Sequence, residues 1–262
     1  MSSVGDGRRV LFYVQHLLGI GHLKRAATLS RALVAAGFEV KLVSGGRPVP
    51  GLNISGVEFV QLPPVAAPDG SFSRLVDVHG ETIDDAFREA RHETLFASVA
   101  EFQPHAVVTE LFPFGRRQLS FELIPLLEQL HAQQSRPRIV SSVRDILVEP
   151  GKPERIDEML DRIERYYDLV LVHGDPDLIP FDETFPPAHR IAHRLRYTGY
   201  VVDSPPGPGG PDAPGAGEVV VSAGGGGMSE RLLRAAIEAR ALTGVADLPW
   251  RVLAGWALDD GI

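Results

Sequence analysis

Short, almost uninterrupted apolar runs recur along the chain with helix-length segments between them, a pattern that few folds accept. The runs are residues 9–14 (RVLFYV), 39–43, 57–62, 106–109, 138–143 and 169–172. A strand that is apolar at nearly every position, rather than at every second one, is buried on both faces. Such strands belong to parallel sheets covered by helices on either side. The intervening segments have helical spacing: Leu23, Ala26, Ala27, Ser30, Leu33 and Val34 follow an i, i+3, i+4, i+7 rhythm, and Gly37 stands where a helix-ending glycine belongs. Further helices are expected over residues 81–102, 119–134 and 153–166. The pattern predicts an α/β fold, a doubly wound parallel-sheet domain.

Residues 203–217 interrupt the alternation. Ten of these fifteen residues are proline or glycine, too many for a helix or strand, so the segment reads as a linker. The alternation then restarts with a strand at 218–222 (EVVVS), a turn containing Gly224, Gly225, Gly226 and Gly227, a helix over 229–242 and a strand at 251–253. The expected organisation is an N-terminal domain over 1–202, a linker over 203–217 and part of a second Rossmann-like domain over 218–262. A single βαβ unit of roughly 45 residues does not bury a core by itself. The expectation is therefore a polypeptide that continues past Ile262, the alternative being a unit that packs on the first domain or on a partner.

Composition narrows the function classes. The net charge of −8 argues against a nucleic-acid binder, which needs a basic face to neutralise phosphates, but leaves room for one small anionic ligand in a local pocket. The absence of cysteine excludes disulfides, thiolate metal sites and a cysteine nucleophile. No apolar run reaches the roughly 20 residues that span a bilayer. Met1 to Gly7 lacks the charged-then-apolar pattern of a secretory signal, so the expected location is the cytoplasm, with peripheral contact to the inner face of the membrane as a possibility.

In open parallel sheets ligands bind beyond the carboxyl ends of the strands. Those ends carry Gln15, His16 and the turn Gly19-Ile20-Gly21-His22; Ser44 to Arg47; Glu110 with Phe112, Phe114, Arg116 and Arg117; Arg144 and Asp145; and His173 to Asp175. Two glycines before a helix allow a tight turn and close backbone approach, and the helix N-terminus offers free N–H groups to an anion. His22, in the first helical turn, is disfavoured as imidazolium and suits a general base for a hydroxyl. Arg25, one turn on, is placed for a phosphate. The structural alternative is that the glycines only make the turn and His22 caps it. Gly224 to Gly227 form a second anion-binding candidate, or else a flexible turn. Glu110 is a candidate acceptor ligand or a helix cap. Arg144 and Asp145 are candidate acceptor ligands or partners of one another. The apolar stretch Leu111 to Phe114 beside two arginines is a candidate for touching a lipid or membrane, or a buried helix start. Neither glycine turn is followed by an acidic residue at the end of the next strand, which argues against a dinucleotide. Phosphate-loop, serine-hydrolase and zinc motifs are missing as well.

In order along the chain, Gly19-x-Gly21-His22-x-x-Arg25, the Pro/Gly linker and the strand running into Gly224 to Gly227 resemble glycosyltransferases of the GT-B fold. The closer likeness is to family 28, which contains the peptidoglycan N-acetylglucosaminyltransferase, and within it to a bacterial "predicted glycosyltransferase" subgroup. That likeness rests on Thr109 to Gly115 (TELFPFG), Ser142 to Asp145 (SVRD) and Tyr197 to Tyr200 (YTGY), and covers residues 9 to about 253. The resemblance implies an inverting transfer from a nucleotide-diphosphate sugar, usually a UDP-sugar, without a cofactor or an obligatory metal. It implies a glycan, lipid-linked or small-molecule acceptor in the N-terminal domain and the nucleotide in the second. His22 would be, or lie beside, the base. The family's later glycine-rich turn and Glu-Gln pair, which hold the donor, have no counterpart up to Ile262. Two other functions stand beside the transferase. One is a nucleotide-sugar hydrolase on the same fold, since the pseudaminic-acid pathway's UDP-sugar hydrolase has a similar Gly-x-Gly-His-x-x-Arg turn. The other is a non-catalytic protein that binds a glycan or lipid diphosphate.

Overall fold

The computed structural model describes residues 7–68, 74–147, 152–203, 210, 213, 215–222 and 229–253. The chain divides into two compact units, Met1–Leu17 with His22–Val202, and Leu18–Gly21 with Asp203–Ile262. In the larger unit seven strands form one sheet in the order β3-β2-β1-β4-β5-β6-β7. They are β1 (Arg9–Val14), β2 (Glu39–Ser44), β3 (Glu58–Gln61), β4 (Ala106–Glu110), β5 (Arg138–Arg144), β6 (Leu169–His173) and β7 (Leu195–Tyr197). Every pairing is parallel. The chain winds outward from β1 in one direction and from β4 in the other. The carboxyl ends of β1 and β4 therefore flank the point where the winding reverses, the place where such sheets form a crevice.

Alternate strand residues face opposite ways and feed two cores. Leu11 and Tyr13 pack with the helices α2 (Asp85–Phe102), α3 (Ser120–His131) and α4 (Pro153–Tyr166), whereas Val10, Phe12 and Val14 pack with α1 (Gly21–Ala35) through Leu23, Ala26 and Ala27. The expected doubly wound sheet is therefore present, helices on both faces included. Helix α1 ends as its sequence implies. Gly37 has φ +88°, its N–H donates to Val34 O at 2.9 Å, and the N–H of Phe38 donates to Leu33 O at 3.0 Å, which together close the last turn.

Some boundaries differ from expectation for identifiable reasons. Helix α2 begins at Asp85, not 81, because Thr82 bridges Val76 and the Asp84 carboxylate caps the helix by accepting from Phe87 N. A 3-10 turn, Arg117–Leu119, leads into α3. Strand β7, the short α5 (Phe181–Thr184) and the 3-10 segment Pro186–Arg194 were not expected, being too short or too polar to show periodicity. In the smaller unit, β8 (Val219–Ser222), α6 (Ser229–Arg240) and β9 (Trp250–Leu253) make a βαβ unit with parallel strands. Arg251 ties β9 to Glu218 at 2.5 and 2.7 Å. The proposed glycine turn Gly224 to Gly227 lies outside the described residues.

Candidate active site at the carboxyl edge of the sheet

The side chains that gather at the carboxyl ends of β1, β4, β5 and β6 form one hydrogen-bonded chain. Glu110, the last residue of β4, is buried with no exposed side-chain surface. Its Oε1 accepts from His22 Nδ1 at 3.0 Å and from the guanidinium of Arg25. Its Oε2 accepts from Ser142 Oγ at 2.5 Å. Ser142 Oγ, with its one proton given to Glu110, accepts from His173 Nε2 at 2.9 Å, and His173 Nδ1 is then left to accept from Thr198 Oγ1 at 2.7 Å. The order is His22, Glu110, Ser142, His173, Thr198, and it crosses the sheet from the first turn of α1 to the end of β7.

This network fixes the state of His22. A carboxylate on Nδ1 holds the proton there and leaves the Nε2 lone pair as the basic atom, the arrangement by which a carboxylate orients a catalytic histidine. Burial pushes the His22 pKa down and outweighs the opposing pull of Glu110, so the imidazole is neutral near pH 7. The same desolvation lowers His173 to about 4 and lowers His16. Glu110 stays ionised although burial alone would raise its pKa, because the bond from His22 and the charge of Arg25 hold it down. His22 keeps a fifth of its side chain exposed, enough to meet a bound hydroxyl.

The candidate residues thus separate. His22, Arg25 and Glu110 come together, but Arg25 pairs with Glu110 rather than standing ready for a phosphate, and Glu110 lies beneath His22 with both oxygens occupied rather than facing an acceptor. Neither Gly19 nor Gly21 has a positive φ, and a Cβ on either would meet nothing within 4 Å. The turn itself does not need glycine there, and what these two residues supply is bare, approachable backbone. Arg144 and Asp145 do not serve each other. Asp145 is buried, with Oδ1 accepting from Ile146 N at 2.9 Å and its carbonyl accepting from Thr184 Oγ1 at 2.7 Å, while Arg144 is exposed. The lipid-contact reading of the Leu111 to Phe114 stretch gives way to the buried one. Phe112 and Phe114 are in the core, the latter edge-on to Phe181 and Phe185 at 5.5 and 5.3 Å between ring centres.

Ser142 and Thr198 stood in the sequence only as members of the SVRD and YTGY motifs, with no role in a site, and the network's rigid support was not expected at all. Arg91, wholly buried on α2, donates to Glu122 at 2.9 and 2.7 Å, to Gln15 Oε1 at 3.1 Å, to Gly45 O at 3.1 Å and to Pro63 O at 2.5 Å. Tyr13 OH donates to the same carboxylate of Glu122. One cation thereby pins the segments that follow β1, β2 and β3. Glycine is required at position 45, since a Cβ there would lie 2.2 Å from Gln15 Oε1 and 2.6 Å from Arg91 Nη2.

Between the segment after β4 and helix α4 lies a cavity of about 400 Å³, whose lining includes Leu111, Arg116, Arg117, Arg144, Arg155 and Arg162. A larger hollow of about 650 Å³ sits at the opposite, amino edge among Arg9, His105 and Arg136, away from the crevice. Among the described residues no helix is long and apolar enough to cross a membrane.

Neither a protein-family model nor a curated protein sequence matches the chain. Solved structures do. The chain is similar to UGT2 of Phytolacca americana, complexed with UDP-2fluoro-glucose and pterostilbene, at a TM-score of 0.57 and 17% identity, over 96% of this chain and 72% of that one. It also matches MurG of Acinetobacter baumannii at a TM-score of 0.45 and 13% identity, over 97% of this chain and 69% of that one. The chain has an α/β fold with a seven-stranded parallel sheet, as in GT-B glycosyltransferases.

Proposed function

We propose that the protein is a glycosyltransferase that moves a sugar from a nucleotide-diphosphate sugar, a UDP-sugar in the first instance, to a hydroxyl of an acceptor with inversion at the anomeric carbon. His22 Nε2 takes the hydroxyl proton, the acceptor oxygen forms its bond to the anomeric carbon, and the bond from that carbon to the diphosphate oxygen breaks on the opposite side. The nucleoside diphosphate leaves with the electron pair. Glu110 holds His22 in the correct tautomer and steadies the imidazolium that forms, while Arg25 keeps Glu110 ionised. The acceptor lies on the N-terminal side, over residues 1–202, beside the open backbone of Gly19 and Gly21. The donor belongs to the part after the linker at 203–217, with Gly224 to Gly227 near its diphosphate.

The observation that carries this reading is the His22–Glu110 contact at the reversal point of the sheet, at 3.0 Å. The fold is shared with a structure holding UDP-2fluoro-glucose and pterostilbene, and this supports the general reaction class. Release of nucleoside diphosphate from UDP-sugars, measured with and without a panel of hydroxyl acceptors, tests it. Strict dependence on an acceptor is expected. Equal release in plain buffer makes water the acceptor and the protein a hydrolase, and binding of sugar or acceptor without any release makes it a binding protein.

A further inference from the structure

Ser142 and His173 stand towards the carboxyl ends of β5 and β6 and are almost wholly buried. A buried hydroxyl or imidazole is tolerated only when its hydrogen-bonding groups are met. The neighbouring Ser141, equally buried, donates to Phe112 O at 2.9 Å. Backbone thus satisfies one serine of β5, whereas the next one serves the Glu110 carboxylate. The proton count fixes the direction of each bond. A carboxylate only accepts, so Ser142 gives it its single proton at 2.5 Å and accepts from His173 Nε2 at 2.9 Å. Burial keeps His173 neutral, so its Nδ1 is bare. That nitrogen takes the proton of Thr198, whose Oγ1 lies 2.7 Å away, against 3.2 Å to Gly199 O and 3.5 Å to Val172 O. If His173 instead carried its proton on Nδ1, Ser142 would have to donate to Nε2 and Glu110 Oε2 would lose its partner. Glu110 Oε1 is held by His22 and Arg25, both from α1, but Oε2 is held from the sheet, by Ser142. The Ser142 bond therefore sets the carboxylate against the strands.

We propose that Thr198, His173 and Ser142 are positioning residues for His22: hydrogen bonds donated in one direction, from Thr198 through His173 and Ser142 to Glu110, hold that carboxylate as the acceptor for His22 Nδ1. Each acts through the next, and a network of this kind works only when every member is satisfied. The two histidines are then opposite tautomers, His22 with its proton on Nδ1 and His173 with its proton on Nε2. That His22 goes on to deprotonate an acceptor rests on the transferase reading, whereas the control of its tautomer does not. His22 is also faced by Arg25 from α1, by Arg116 from the segment after β4 and by His16 from the segment after β1, and His173 by Glu110 and Arg25. The changes below leave all of these charges in place.

Nitrogen NMR of the imidazole groups in the whole protein at pH 7, with no ligand added, reads both tautomers. Wild type is expected to show His22 as Nδ1–H and His173 as Nε2–H. Thr198→Val, a change of equal size at an exposed position, removes only the outermost donor. It is expected to turn His173 and to bring the Nε2–H form of His22 into view, as are Ser142→Ala and His173→Leu. His173→Gln, whose amide still donates to Ser142, and Ser141→Ala, which deletes a buried hydroxyl outside the chain of bonds, are expected to leave His22 as in the wild type. Circular dichroism melting confirms that each variant is folded, and Thr198→Val carries the test if a buried change unfolds the protein. A His22 signal unchanged in folded Thr198→Val, or a wild-type His173 with its proton on Nδ1, overturns the proposal. Where acceptor-dependent release is measured, Ser142→Ala is expected to lower kcat by about 10–100-fold at little change in KM, the usual cost of losing a group that orients another. Absence of any release counts against the transferase reading alone, because the tautomers are read without turnover.

Discussion

Burial holds the His173 imidazole at about 4, well under its ordinary value near 6.5. Between those two values the unfolded chain binds a proton that the folded protein refuses, so stability falls as the pH drops from about 6.5 towards 4. Urea unfolding at pH 7 and pH 4.5 should show about 2 kcal/mol lost to this one group, by the linkage of 1.36 kcal/mol per pKa unit. His173→Gln should lose correspondingly less over the same interval, and an identical loss in both proteins would contradict the assignment. His22 and His16 are displaced in the same direction by the same cause and add to the acid sensitivity of the native protein without altering that difference. At this scale the sequence was informative about who stands at the edge and uninformative about who touches whom. The glycine-histidine turn and Glu110 are visible because each follows an apolar run. Ser142 is hidden inside such a run, two residues before its end, and Thr198 follows a strand of three residues that has no periodicity to announce it.

Among the elements, helices α2 and α3 are joined by a buried ion pair. Arg91 and Glu122 are both fully buried, at 2.7 Å from one another, and with them are tied the segments after β1, β2 and β3. Removing one partner of such a pair leaves a buried charge uncompensated and costs about 3–5 kcal/mol, whereas replacing both by apolar residues costs far less. Arg91→Met is therefore expected to lower unfolding free energy by about that amount, and Arg91→Met/Glu122→Leu by less than the sum of the single changes. Additive losses in urea titrations would show that the two side chains act independently. Helical spacing from sequence placed both residues on helices, but a charge in a helix is ordinarily a solvated one, so nothing in the spacing marked this pair as interior. The strands were legible for the opposite reason. Burial on both faces leaves almost no polar residue along them, and that requirement appears directly as a run of apolar letters.

For the molecule as a whole, the fold places its chemistry through one topological fact, the reversal of winding between β1 and β4. His22 follows β1 and Glu110 ends β4, so residues 88 positions apart meet at that reversal. The density of proline and glycine over residues 203–217 is what led the sequence to be read as two domains joined by a linker. The central claim is that His22, oriented by Glu110, is the base for a sugar acceptor, and kcat/KM for acceptor-dependent nucleoside diphosphate release by the wild type and by His22→Ala tests it most directly. The account predicts a fall of about 10²–10⁴ in a variant whose melting temperature is not lowered. An unchanged kcat/KM would contradict it.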